Sequence, residues 1–556
     1  MRFRALLPIT LLPLALAASA ASPALGGDNR GDDRRSDLAF VNRLTWGETA
    51  QGDTLSGKSR DAWLNAQLHP GNDDGLPPQV AAAIAGMEIS QQPLEQIAVQ
   101  TREMQMAIRD ARRSAKAGDQ AQDGNQDKGQ FRDIIKPYRQ KLVSLAVQAQ
   151  TRSLLRDLYS KNQLKEQLTW FWLNHFNVYA RKGQIAALVG DYEENAIRPH
   201  VLGKFRDLLT ATAFHPAMIH YLDNQQNAVD KINENYAREI MELHTMGVGS
   251  GYTQKDVQEL ARILTGFGVN FSGKPRAFAA LARVDYRTDV GHGGLFEFIP
   301  RRHDYGDKVF LGHTIKGAGL EEVNQAIDIL SREPATARHV SRQLAQYFCC
   351  DAPSDRLVEA MAATWKRTDG DMAAVLKTLF DSSEFSESLG KKFKDPMHYA
   401  ISAIRATYGD QPIKNPLPLI NWLNRMGELP YGHETPDGYS LTADSWSGPG
   451  EMATRFEVAQ QIGSGARNLF LPITPEMLTR LRANLQANPA NADNNLQAIL
   501  QVDPQDRTPA PMLQQTAYYT QLTPSLSAAT SNAIAQGASQ ADRNALFLSS
   551  PEFMRR

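Results

Sequence analysis

Residues 233–247, NENYAREIMELHTMG, constrain this chain more than any other stretch. They hold three glutamates, an arginine, two asparagines and a histidine among apolar residues at helical spacing. At 100° per residue, Glu234, Asn235, Arg238, Glu239 and Glu242 share an arc of about 140°. Tyr236, Ile240 and Leu243 point the other way, with Asn233 and His244 beside them. The spacing predicts an amphipathic helix whose apolar face is buried against other helices. Its polar face is either a solvated ladder of ion pairs or the wall of a reactive pocket. Glu234–Arg238 and Arg238–Glu242 are i,i+4 pairs, each contributing a few tenths of a kcal/mol when exposed. Glu239 and Glu242, at i,i+3, are close enough to raise one another's pKa or to share a cation. Asn233 and Asn235 disfavour a helix interior but serve well as caps or ligand-orienting amides. Glu242 and His244 lie about 200° apart on the wheel, so they do not share one ion, and His244 reads as a core or capping histidine.

Helical periodicity dominates the rest of the chain. Leu38, Val41, Leu44 and Trp46 open the first helix, and residues 62–68 continue in the same character. Leu164, Leu168, Phe171, Trp172 and Phe176 mark an aromatic-rich helix. Thr253 caps another, in which Val257, Leu260, Ala261 and Leu264 recur at i, i+3, i+4 and i+7. The fold class expected is mainly α, a multi-helix array with long irregular loops and a few short strands. Residues 37–268 read as an N-terminal helical domain with a flexible Gly/Gln/Asp insertion at 114–130. Residues 269–318 read as irregular, with short strands at Phe296–Phe298 and around Val309. Helices return over 319–405, residues 406–450 read as Pro/Gly/Trp-rich loops, and 451–556 as a C-terminal helical region.

Of the 556 residues, 60 are basic and 61 acidic, for a net charge of −1, so no bulk field favours nucleic acid. Arg2 and Arg4 precede an apolar run ending in Ala18-Ser19-Ala20. This reads as a signal peptide over 1–20, followed by a mobile leader over 21–36, and points to an exported, periplasmic or extracellular protein. No later apolar stretch has spanning length. The only two cysteines, Cys349 and Cys350, are adjacent and read as packed thiols following Tyr347 and Phe348. Two thiols are too few for a cysteine-held zinc.

Beyond the opening motif, His175 ends the aromatic helix beside Asn174. There a desolvated imidazole suits a general base or a neutral metal ligand, and equally a packed histidine bonded to a backbone carbonyl. His303 and Asp304 lie in the irregular segment, where loops carry function. Arg198, before Pro199, suits either an anionic substrate group or a pairing with Glu193 or Glu194. Serine-hydrolase elbows, zincin, EF-hand, Walker, haem-attachment and dinucleotide fingerprints are all missing from the sequence.

Several segments together carry a resemblance. They are residues 172–176 (WLNHF), 197–200 (IRPH), 215–218 (HPAM), 221–224 (YLDN) and the opening motif. Residues 251–257 (GYTQKDV), 264–267 (LTGF), 303–308 (HDYGDK), 310–312 (FLG), 334–337 (PATA) and 550–553 (SPEF) complete the set. With these the chain resembles the bacterial family known as domain of unknown function 1800. The resemblance implies an exported, mostly helical protein often encoded beside a companion exported family, and it brings no established reaction. Phe267 stands where that family commonly has tryptophan, and its members vary at the position of His244.

Two functional readings result. In one, a hydrolytic or metal-assisted enzyme acts on envelope or extracellular material. Glu239 or Glu242 is then the acid or base, His175 a partner base or ligand, and Arg238 the tuner of the carboxylates. His303 and Asp304 close the site, while Asn174, Arg198, Asn233, Glu234, Asn235 and Arg238 contact substrate. A divalent metal is the one cofactor this reading leaves open. In the other, the protein is a non-catalytic envelope assembly partner of the companion exported protein, using Trp422 and Trp446 at its interface.

Overall fold

A computed structural model describes residues 29–118, 126–272, 295–472 and 509–556. The expected signal peptide and the first half of the expected leader, 21–28, lie outside these residues, as do 119–125 of the expected insertion. Helix α1 (Asn29–Leu44) begins inside the stretch read as leader. Its opening turns are polar all round, so apolar periodicity does not register them. The two long helices α2 (Leu94–Gly118) and α3 (Gln126–Tyr159) extend into the 114–130 stretch from both sides.

The fold is mainly α. Among the described residues the strands are short and form two antiparallel pairs. Strand β1 (Phe267–Val269) pairs with β2 (Phe296–Phe298), and β3 (Lys308–Phe310) with β4 (His313–Ile315). One apolar core cluster reaches from Leu38 to Met554. No helix of the described residues is long and apolar enough to cross a membrane.

At the centre of the core lies α4 (Gln163–His175). Every residue of it except Lys165 is buried, because its apolar and aromatic side chains run round the whole helix rather than along one stripe. The chain then passes through a π-helical turn, Tyr192–Ile197, into α5 (Phe205–Phe214) and α6 (Pro216–Tyr221).

The opening motif forms α7 (Asn235–Glu239) and continues without a break as a second π-helical turn, Ile240–Thr245. The wider i→i+5 turn departs from the uniform helical wheel. Its bonds are visible in Met246 N to Met241 O at 2.9 Å and in Thr245 Oγ1 to Ile240 O at 2.7 Å. The motif packs against α8 (Gln254–Ile263), α9 (Leu320–Arg332) and α10 (Pro334–Phe348). Helix α8 starts with the expected Thr253 cap, completed as a capping box by Asp256.

Two features of residues 406–450 differ from the loop reading. Residues Leu417–Arg425 form a helix, α11, with Pro418 in its first turn, where a missing N–H costs nothing. Trp422 and Trp446 are both buried. Trp422 Nε1 donates to Gln461 Oε1 at 2.7 Å, and Trp446 Nε1 to Ser440 O at 3.0 Å. These tryptophans fasten their own chain and present no aromatic surface.

Candidate functional site

The polar face of the motif is half-exposed. Arg238 bridges Glu234 (3.2 Å) and Glu242 (3.1 Å), with side-chain exposures of 37%, 33% and 22% for Arg238, Glu234 and Glu242. Gln254 closes the ladder, accepting from Arg238 at 2.8 Å and donating to Glu234 at 2.6 Å. Glu239 stands apart from this network and, among the described residues, takes no hydrogen bond or ion pair. Half-buried, its carboxyl is pushed up, first by burial and then by the neighbouring charges of Glu242 and Asp437, against the opposing pull of Arg238.

The loop 431–439, whose Asp437 acts on the charge of Glu239, is held by three side chains. Asn177 Nδ2 donates to His433 O (3.1 Å) and Thr435 O (2.7 Å). The Asn174 amide pairs with Tyr439 as a strand neighbour would, donating to Tyr439 O at 2.9 Å and accepting from Tyr439 N at 2.6 Å. Tyr221 Oη donates to Glu434 O at 2.6 Å. The Tyr221 phenol is pushed up by burial first and by the charges of Asp437 and Glu239 next. On the other flank, burial raises the Tyr252 phenol, assisted by a hydrogen bond and charge from Glu242. Tyr431, a bulky residue at φ +60°, opens the loop in a strained conformation, its hydroxyl bonded to the buried Glu193.

His175 is buried under this face and reaches the motif from behind. Its Nε2 lies 3.0 Å from His244 O, and its Nδ1 lies 2.6 Å from the Gln343 side-chain amide. Burial lowers it to about 4, with a smaller contribution from His339, so it is neutral near pH 7. A neutral ring carries one N–H, and the His244 carbonyl requires it at Nε2. Nδ1 is then an acceptor, and the Gln343 amide, whose Oε1 stands at this position, serves it with its NH2 once its O and N are exchanged. His339 Nε2 lies 3.3 Å from Leu243 O, so two histidines sit on successive carbonyls at the end of the π turn. At Gly247, φ is +87°, and a Cβ there would come within 2.8 Å of His339 Nδ1, so glycine closes the helix. His244 is buried on the far side of the motif, and its Nε2 has no hydrogen-bond partner among the described residues.

The structure therefore brings Glu234, Arg238, Glu239 and Glu242 onto one face, with Asn174 fixing the loop 431–439 and His175 buttressing the helix. Asn233 and Asn235 fasten the preceding turn. Asn233 accepts from Asn235 N at 3.0 Å, and Asn235 Nδ2 donates to Leu222 O at 3.2 Å.

His303, Asp304 and Arg198 do not join this face. His303 is fully buried between Glu322 (Nε2 to Oε1, 2.9 Å) and Thr265 O (Nδ1, 2.8 Å). Glu322 also takes Lys308 and the backbone N–H groups of Ala318 and Gly319, binding β3 to the start of α9. Burial by itself would raise Glu322, and these hydrogen bonds bring it below the usual range instead. Asp304 is held low by the hydrogen-bonded Arg262 guanidinium. Both side chains of the His303-Asp304 dipeptide are thus engaged in internal pairings. Arg198 grips Glu166 through both carboxylate oxygens and Asp74 at 2.7 Å, rather than the expected Glu193 or Glu194. Its pairing is internal and buried.

Sequence reasoning missed Tyr221, Tyr252, Gln254, His339, Gln343 and the loop residues His433, Glu434 and Asp437. The turn-rich tract between Tyr431 and Gly438 was the available signal, but nothing in it names the face it covers.

These features define a class: a mainly α protein in which an acidic face on a mixed α/π helix lies beside a side-chain-clamped loop. The chain belongs to the family described as protein of unknown function (DUF1800), whose match covers residues 39–555. No curated protein and no solved structure matches it.

Proposed function

We propose that this protein is an exported hydrolase whose general acid is Glu239, acting on a neutral or cationic polymer of the cell envelope or its surroundings. One observation carries the reading. Glu239 is the motif carboxyl without a partner among the described residues, and burial with the neighbouring charge of Glu242 raises it above its ordinary value. An upward shift is the direction that proton donation to a leaving group requires of a carboxyl. Glu242, fixed by Arg238, supplies a second carboxylate one turn away, suited to accept a proton from water or to offset developing positive charge. Tyr221 and Tyr252 flank the two carboxyls, and Glu434 and Asp437 add negative charge, which disfavours an anionic polymer. The apolar run before Ala18-Ser19-Ala20 supports export.

The test is hydrolysis by the purified protein of a panel of neutral and cationic envelope glycans and peptides, read as new reducing ends or free amines. Glu239→Gln should lose at least about 100-fold in rate, the size of a general-acid contribution. Glu234→Gln should stay within a few-fold of the parent. Equal rates for Glu239→Gln and the parent, or no hydrolysis of any polymer, would overturn the proposal.

A further inference from the structure

Away from the acidic face, the two cysteines meet a third donor. Cys349 ends α10 and is buried, while Cys350 follows it half-buried. The fold carries Glu384, from the short helix Ser383–Ser388, up against both. Cys350 Sγ lies 3.7 Å from Glu384 Oε1, and Cys349 Sγ 3.5 Å from the Glu384 carbonyl oxygen. The two sulfurs and a Glu384 carboxylate oxygen all lie within 4.8 Å of one another, and among the described residues this is the one such group of histidine, cysteine and carboxylate donors.

These separations have a metric meaning. With Zn–S near 2.3 Å and Zn–O near 2.0–2.2 Å, a tetrahedral ion separates a sulfur from an oxygen ligand by about 3.5–3.7 Å. The Cys350 Sγ–carboxylate distance falls on that edge length, as does the Cys349 Sγ distance to the Glu384 carbonyl oxygen, a candidate fourth donor. The other separations within the triad, all under 4.8 Å, need only a modest contraction for the donors to share an ion.

The surroundings are built for rigidity. Arg43, fully buried, donates to Cys349 O (2.8 Å), Phe348 O (2.9 Å) and both Ser388 O (2.6 Å) and Ser388 Oγ (2.7 Å). One guanidinium thereby ties the cysteine backbone to the far end of the glutamate's helix, and its charge lies close to the sulfurs. Glu384 accepts from Ser354 N at 2.8 Å and from Ser354 Oγ, which aims its carboxylate and leaves lone pairs free. Hydrogen bonds of this kind orient ligands in metal centres. Cys350 and Glu384 are only half-buried, which gives an ion a way in. Cys349 N and Cys350 N both donate to Ala345 O, at 2.8 and 3.3 Å, so the helix end holds the backbone of the pair. Closing the eight-membered ring of a vicinal disulfide would work against that hold.

We propose that Cys349, Cys350 and Glu384 form a binding site for a thiophilic divalent cation of the zinc class, with two thiolates, one carboxylate and a fourth position open to water or to the Glu384 carbonyl. Cysteine count argued against zinc because a carboxylate distant in sequence is invisible to it. The site is separate from the acidic face and independent of the hydrolase reading.

The test uses the full-length protein, reduced and freed of metal by a chelator, titrated with Zn2+ and, as a spectroscopic probe, Cd2+. One equivalent should bind, a sulfur-to-cadmium charge-transfer band should appear, and both thiols should become protected from an alkylating reagent. Cys350→Ser and Glu384→Gln should each weaken binding at least tenfold. The thiol-protection readout on the unaltered chain stands even if a variant folds poorly. Binding unchanged in Cys350→Ser or in Glu384→Gln overturns the site, as does the absence of saturable uptake. Isolation of the pair as a disulfide that resists mild reduction also overturns it, in favour of a structural cross-link.

Discussion

The Nε2 of His175 lies 3.0 Å from the carbonyl oxygen of His244, so the buried end of the aromatic helix caps the π-helical end of the acidic motif. A carbonyl at a helix terminus lacks an intrahelical donor, and burial makes leaving it unpaired costly. This bond couples the hydrophobic centre of the molecule to the half-exposed face where Glu239 lies.

The coupling should be visible as acid lability. His175 has its folded value lowered to about 4 from an ordinary 6.5. A lowered histidine binds fewer protons folded than unfolded, so its contribution is fully present above 6.5 and is lost as pH falls toward 4. Denaturant unfolding at several pH values should show stability falling by up to about 1.4 kcal/mol per pH unit in that window. His175→Gln, which cannot titrate, should reduce the slope. An unchanged slope would mean that His175 is not held neutral.

Glu239 should behave oppositely to a structural residue. Its carboxyl is raised, so the folded state gains from the protonated form, and that gain disappears as pH rises through the raised value. Near neutral pH, Glu239→Gln removes a repelled charge and should leave stability equal or raise it by about 0.5 kcal/mol, discounted for its half exposure. Thermal or chemical melts of the two proteins decide this, and a loss above about 1 kcal/mol would assign Glu239 a packing role.

Two arginines give a contrast of magnitudes. Removing Arg198 strands the fully buried Glu166, and Arg198→Ala should cost about 3–5 kcal/mol. Arg238→Ala disturbs a half-exposed ladder and should cost under about 1 kcal/mol, with any loss diminishing in high salt. Paired unfolding curves at low and high salt measure both.

Gly438 is the weak point of the clamped loop. It adopts φ +70°, and a Cβ there would collide with the carbonyl oxygen and side chain of Asn174. Gly438→Ala should destabilise by at least about 1 kcal/mol. Asn174→Ala removes both hydrogen bonds to the Tyr439 backbone and should increase hydrogen exchange at the Tyr439 amide. In the hydrolase reading, either change lowers turnover without touching Glu239.

Much of the architecture was legible because it is written in local periodicity. Val257, Leu260 and Ala261 recur at helical spacing, and they face the core as that spacing requires. Thr253 announces its own cap, and Phe296 and Val309 mark strands that do form. The ladder Glu234–Arg238–Glu242 also follows from i,i+4 spacing. Other features depend on distant partners. Arg198 pairs with Glu166 and Asp74, and His303 with Glu322, because separate helices bring them together. The π turn at Ile240–Thr245 escapes a uniform wheel since its stability comes from His175, His339 and Thr245 closing its carbonyls.

The sequence by itself determined that the chain is mainly helical, that the motif has one charged face, and that Glu239 and Glu242 share it with Arg238. These are properties of residues within a turn or two of one another, where spacing fixes direction. Tertiary structure alone decided that Glu239 is the motif carboxyl without a partner among the described residues, that Asp437 of the loop 431–439 acts on its charge, and that Glu384 meets the cysteines. Those relationships span tens to hundreds of residues, and only the burial of a common core sets which distant side chains become neighbours.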